Sequence, residues 1–248
     1  MRITENSIIG EIVANNYKTS SIFSAVKIDF CCKGNRTIKD AATALNIDTS
    51  ILVSQLNSIL DAAEDEVKDV NTITLTELID HIVKIHHAYI TKSSLEIVPL
   101  LEKITSVHGK LHPELKEIEK EFKSAVGELA MHMKKEELIL FPYIKNLEKA
   151  INEKTSVHKS VFDSVLSPIT AMKKDHTVEG ERLEKISQLT NDYITPSDGC
   201  ATYQITMKLL KEFEQDLHRH IHLENNILFE KALQLESEFR SIFPEVRN

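Results

Sequence analysis

The sequence predicts an all-α protein, a four-helix bundle preceded by a small helical region, on three observations. Glycine and proline are scarce, six of each in 248 residues, so residues that break helices or build tight turns are few. Long stretches repeat apolar residues at intervals of three and four, which gathers them on one helical face. Runs of β-branched residues in strict alternation, the mark of a half-buried strand, are missing.

The elements follow in order. A first helical pattern surrounds Ile8, Ile9, Ile12 and Val13, a second ends near Val26, and a pair runs from Thr37 through Leu60. They enclose a turn at Asp29-Phe30-Cys31-Cys32-Lys33-Gly34-Asn35. Asp61, Glu64, Asp65, Glu66 and Asp69 then offer charge and little apolar surface, the character of a linker or an exposed helix end. The division falls in this stretch, close to residue 70, and is drawn as a small domain over 1–65 and a larger one over 66–248. From Leu75 four long segments span roughly 75–105, 113–149, 167–190 and 201–236, the inventory of a four-helix bundle. Pro113 suits a first helical turn, Ser167-Pro168 reads as an N-cap and first-turn proline, and Pro142 and Pro196 interrupt or separate helices.

Composition removes several function classes. Thirty Lys and Arg against thirty-eight Asp and Glu leave a formal charge of −8 with no basic cluster, which argues against a nucleic-acid partner. No apolar run approaches the ~20 residues of a membrane-spanning helix, and the opening residues lack the basic and apolar regions of an export signal. The expected location is cytoplasmic. Three cysteines, two of them adjacent, do not make a spaced disulfide framework, so the thiols are expected to be reduced.

Polar residues interrupt the apolar stripes at matched places. In the second long segment Phe122, Ala125, Leu129, His132, Glu136 and Leu140 share a face; in the fourth Leu209, Phe213, Leu217, His220, Glu224 and Ile227 do. The third carries His176 after Val165, Ile169 and Met172, and the first carries His87 among Ile79, Val83 and Ile90. His87 to His132 is 45 residues and His176 to His220 is 44, so the halves look like one helical hairpin used twice. Two buried carboxylates among imidazoles are costly unless something positive lies between them. Six such side chains from four helices suit a pair of metal ions, and imidazole with carboxylate favours iron or manganese over structural zinc; we expect iron. If both glutamates bridge and a solvent-derived group completes the bridge, each ion keeps an open position.

Other residues stay open at this level. Periodicity does not choose between His86 and His87, because Ile82, His86 and Ile90 also share a face. His81, His108, His112, His158, His218 and His222 read as surface or supporting groups, with His81 the best placed to orient a ligand. Glu137 reads as a solvated charge and Cys200 as structural. Cys31-Cys32 reads either as a small buried pair in a tight turn or as a redox or iron-handling pair.

These residues together resemble the di-iron iron-sulfur cluster repair proteins, the RIC family, over nearly the whole chain. Asp29-Phe30-Cys31-Cys32 followed by Gly34-Asn35 resembles that family's vicinal-cysteine domain. Leu78-Ile79-Asp80-His81 with His87, Val107-His108-Gly109, His132 through Pro142, Asp175-His176 and His220 through Phe229 resemble the motifs of a hemerythrin-like bundle, in order. The resemblance implies that His87, His132, Glu136, His176, His220 and Glu224 hold two non-haem iron ions, bridged by the two glutamates and an oxo or hydroxo group. It favours His87 over His86. It implies repair of iron-sulfur clusters damaged by nitrosative or oxidative stress, most simply by iron donation, with Cys31 and Cys32 as redox or iron-transfer residues and damaged iron-sulfur proteins as partners. Reduction of nitric oxide to nitrous oxide, or binding and sensing of oxygen or nitric oxide, are the competing activities, and a homodimer is a family-level implication. Two departures stand out: the usual Cys-Cys-Gly-Gly is Cys31-Cys32-Lys33-Gly34, and Glu230 follows Phe229 where proline is common.

Overall fold

The computed structural model describes residues 2–61, 73–155 and 164–243. No strand occurs among them; the nearest approach to one is a single antiparallel bridge between Ile8 and Thr37. The N-terminal region contains α1 (Ile9–Asn15), α2 (Ser20–Ala25), α3 (Ile38–Ala44) and α4 (Thr49–Asp61), with a short 3-10 turn at Tyr17–Thr19. Thr37 caps α3 by accepting the Asp40 backbone N–H. The Asn57 side chain pairs with both backbone groups of Ile3, which ties the start of the chain to α4.

The bundle consists of four long rods, three of which contain a π-helical turn. The first is α5 (Leu75–His81), a π turn (Ile82–His87) and α6 (Ala88–His108). It opens on a capping box in which Thr74 and Glu77 satisfy each other's backbone N–H groups. The second is α7 (Glu114–Lys135), a π turn (Glu136–Leu140) and α8 (Phe141–Glu153). The third, α9 (Leu166–Leu189), has no π turn. The fourth is α10 (Ala201–Leu223), a π turn (Glu224–Leu228) and α11 (Phe229–Ile242). The expected rods are present and three run further than the apolar pattern alone indicated, to His108, Glu153 and Ile242.

The prolines behave differently from expectation at two places. Pro142 does not end the second rod: it lies in the first turn of α8, just past a π turn in which Phe141 N–H reaches the Glu136 carbonyl. Ser167 is not the cap of α9, which begins one residue earlier. Its start is held instead by Glu236 of α11, which accepts from the Val165 backbone at 2.9 Å and the Ser164 hydroxyl at 2.7 Å. Pro99 sits inside α6 where Leu95, whose carbonyl loses its donor, is 77% exposed, so solvent can take the place of the missing N–H.

Two apolar clusters flank a polar layer. One joins Ile9, Phe23, Ile38 and Leu52 of the N-terminal region to Ile90, Leu129, Leu217 and Ile221 of the bundle. The other gathers Leu78, Ile82, Leu140, Phe141, Ile169, Ile227, Leu228 and Phe229. His87, His132, Glu136, His176, His220 and Glu224 fall between them along each rod. The N-terminal region therefore shares a core with the bundle; the division expected near residue 70 lies outside the described residues.

The cysteine turn docks on the fourth rod through close backbone approach. Gly10 N–H donates to the Gly34 carbonyl at 2.8 Å, and a Cβ at Gly10 would meet the Asn226 side chain at 2.7 Å. Phe30 lies edge-on to His222, and Arg219 stacks over the Tyr17 ring at 4.5 Å. Lys33 stands exposed without a positive φ, so losing a glycine there costs no strain, whereas the retained Gly34 is packed against the Phe30 carbonyl. Gly34→Ala is expected to destabilise the fold by about 1–3 kcal/mol. Gly127→Ala, in α7 with nothing near its Cβ position, is expected to stabilise by up to about 1 kcal/mol. Thermal melts of the two variants check both signs.

Candidate metal centre

Each rod delivers one or two polar side chains to the layer between the apolar clusters. His87 closes the first π turn, Glu136 and Glu224 open the other two, His132 and His220 precede them by one helical turn, and α9 supplies His176. All six are at most 3% exposed. They form two sets, His87 with His220 and His132 with His176, and both glutamates belong to both sets; within each set one ligand atom per residue lies within 4.8 Å of the others.

The carboxylates divide their oxygens between the sets. Glu136 places Oε1 at 3.1 Å from His132 Nε2 and Oε2 at 3.5 Å from His87 Nε2. Glu224 places Oε2 at 3.0 Å from His176 Nε2 and Oε1 at 3.0 Å from His220 Nε2. Despite these separations none of the four oxygens makes a directed hydrogen bond.

For three of the four rings the outward nitrogens explain why. His87 Nδ1 lies 2.7 Å from a Glu137 oxygen, His176 Nδ1 lies 2.9 Å from Asn225 Oδ1, and His132 Nδ1 lies 3.4 Å from Asp175. Each partner is an acceptor, so Nδ1 carries the proton and a neutral ring turns the Nε2 lone pair inward. Lone pairs of His132 and His176 then face each other at 2.9 Å; His87 turns its lone pair toward His220 Nε2 at 3.3 Å, and His220 Nδ1 has no hydrogen-bond partner. Such an arrangement is repulsive on its own and attractive around cations. The residues fit metal ions, and their nitrogen and oxygen donors, without thiolate, suit iron.

Electrostatics state the same demand. Burial pulls His132 down, but the Glu136 charge and its close approach outweigh this and push it up to about 9. Burial raises Glu224, yet His220 and the neighbouring imidazoles hold it well below the usual carboxylate range. Without cations the layer recruits protons instead.

Several supporting residues differ from the sequence reading. Glu137 is not merely solvated, since it orients His87. His86 belongs to neither set; it pairs with Asp216 at 3.0 Å while its ring stacks 6.0 Å from that of His220. His81 contacts His86 and not His87. Cys200 is exposed at the start of α10, and the Tyr203 backbone N–H together with His108, 3.3 Å away, draws its thiol down to about 7. His222 is buried against Phe30, and His158 lies outside the described residues. Asn225 escaped the sequence reading altogether; its only signal was a position directly after Glu224.

The cysteines stand beside this layer. Asp29 Oδ1 accepts the backbone N–H groups of Cys31 and Cys32 at 3.0 and 2.9 Å and the Cys31 thiol at 3.3 Å. The two sulfurs are 3.7 Å apart, unbridged, and Cys32 donates to the His176 carbonyl at 3.4 Å. Contact with Cys32 and burial keep the Cys31 thiol neutral. Asp29, Cys31 and Cys32 form a third group with ligand atoms within 4.8 Å of one another.

A cavity of about 190 Å³ between α7 and α9 reaches His132 and His176 past Glu128, Asp175 and Glu179. Glu179 is 3% exposed, and its burial, only partly offset by Arg182, pushes it up to about 7. A carboxyl raised in the folded state binds more protons there than when unfolded, so stability falls as pH climbs from about 4.5 to 7. The loss reaches roughly 3 kcal/mol above that window. Glu179→Gln is expected to unfold at higher denaturant than the parent at pH 8 and to lose that advantage near pH 4.5, which urea titrations at the two pH values measure.

Comparison with known proteins places these features in context. Residues 78–232 match the family model described as Hemerythrin HHE cation binding domain, and residues 5–60 match ScdA_N, described as a Domain of Unknown function, DUF542. The chain is 33% identical to the iron-sulfur cluster repair protein YtfE of Yersinia pseudotuberculosis over 231 residues, covering 93% of this chain and 98% of the relative. It is 28% identical to the iron-sulfur cluster repair protein ScdA of Staphylococcus epidermidis, with 93% and 99% covered.

Proposed function

The chain belongs to the hemerythrin HHE cation-binding family and, by similarity along nearly its whole length, to the iron-sulfur cluster repair proteins; on that premise we propose that it repairs clusters damaged by nitrosative or oxidative stress, by giving up iron held in the polar layer. One observation carries this reading: two sets of donors share both glutamates. We assign two non-haem iron ions, one to His87 and His220, the other to His132 and His176, with Glu136 and Glu224 bridging. The iron is cargo. Imidazole and carboxylate hold ferrous iron less tightly than thiolates hold a cluster, so transfer to a damaged iron-sulfur protein runs downhill.

The protein's own groups set the conditions for transfer. Glu137, Asp175 and Asn225 fix which nitrogen of each ring faces inward. The cavity past Glu179 supplies an approach to the His132 and His176 edge. Cys32, bonded to the His176 carbonyl, and Cys31, whose carbonyl meets Asn225, are the candidates to receive iron or to engage a client. The free thiols of Cys31, Cys32 and Cys200 support action in the cytoplasm; among the described residues no helix is long and apolar enough to cross a membrane.

Glu136→Ala is expected to remove a shared ligand and bring the iron content below two per chain, read by elemental analysis; two ions with unchanged spectra would refute the bridging assignment. Replacing Cys31 and Cys32 with serine is expected to leave iron bound while abolishing repair of a nitric-oxide-damaged cluster enzyme under anaerobic conditions. In that assay iron transfer and nitrous oxide are followed together: transfer without gas supports donation, and gas without transfer would establish nitric oxide reduction instead.

A further inference from the structure

Asn225 stands in the π turn that begins with Glu224, and it uses both ends of its amide. Its Oδ1 lies 2.9 Å from His176 Nδ1, and its Nδ2 donates to the Cys31 carbonyl at 3.1 Å. A backbone carbonyl only accepts, so it fixes which way the amide faces and, through Oδ1, which His176 nitrogen carries the proton. Two further bonds tie the same parts together. Asn226 donates to the Phe30 carbonyl at 3.1 Å, and the Cys32 thiol donates to the His176 carbonyl at 3.4 Å.

His176 thereby differs from the other rings. His87 and His132 are oriented by Glu137 and Asp175, whose side chains are 40% and 39% exposed. His176 is oriented by an amide that is 6% exposed and whose other end is committed to the peptide of Cys31. A displacement of the Cys31 carbonyl removes the acceptor that sets the amide, and with it the support of the ring.

We propose that Asn225 is a positioning residue that couples the Cys31–Cys32 turn to the metal centre: attachment of the turn steadies His176, and a cation on His176 steadies the turn. The proposal rests on the reading of His176 as an iron ligand and adds to it a link that runs in both directions, because an equilibrium coupling is reciprocal.

The test uses the full chain, anaerobic, with and without ferrous iron. Iodoacetamide alkylation of Cys31 and Cys32 is followed by mass spectrometry, and iron affinity by competition with a chelator. In the unaltered protein, iron is expected to slow alkylation by about 5-fold or more. Asn225→Ala is expected to bring the ratio of rates close to one and to weaken iron binding by about 10–100-fold. Asn225→Asp keeps an acceptor for His176 but sets an oxygen against the Cys31 carbonyl, so it is expected to retain iron and still lose the ratio. A wild-type ratio in either variant overturns the coupling. The metal-free arm separates this failure from that of the iron reading: Asn225→Ala is expected to alkylate faster than the parent even without iron, and equal rates overturn the link. An unaltered protein that takes up no iron refutes the assignment of the centre itself. Circular dichroism confirms folding of both variants, and Asn225→Asp, of nearly the same volume, carries the test if the alanine variant unfolds.

Discussion

The structure depends on one constraint: four imidazoles and two carboxylates share a buried layer in which the inward lone pairs and the carboxylate charges repel one another unless positive charge lies between them. The acceptors behind three of the rings make this repulsion unavoidable, because each fixes a proton on the outward nitrogen. Apolar clusters pack on either side of the layer, and the cavity past Glu179 reaches its His132 and His176 edge. Cation binding and the integrity of the bundle are thus parts of the same equilibrium.

Much of the fold was legible because amphipathic periodicity survives even where polar residues interrupt it. The four rods, the short N-terminal helices and the gathering of six His and Glu side chains on inward faces all follow from spacing at three and four. The π turns were not legible. They leave the i, i+4 relation of His132 to Glu136 and of His220 to Glu224 intact and insert the extra residue just beyond it. A proline ends a regular helix, so Pro142 looks like an interruption in sequence alone, and the wider turn before it removes that conflict.

The supporting residues were less legible for a different reason. Glu137 looked solvated because its neighbour Glu136 occupies the inward face, yet it reaches a ring on another rod. Asn225 and Asp175 act across elements, and no local pattern reports which distant group an amide or carboxylate will meet. His86 and His87 could not be separated by periodicity because the first π turn ends at this pair; resemblance favoured His87, and its side chain is the one that reaches the cluster.

The three π turns give the bundle a stock of mechanical slack. Each holds one residue more than an unbroken helix of equal rise requires, as the bond from Phe229 N–H to the Glu224 carbonyl records. Shifting that surplus residue by a single position turns the intervening side chain by about 100° without changing where the rod begins or ends. The rods bearing His87, Glu136 and Glu224 can therefore re-aim a donor locally while the outer packing stays put. No π turn interrupts α9, so the backbone that carries His176 lacks this play, and its ring takes its bearing from Asn225 instead.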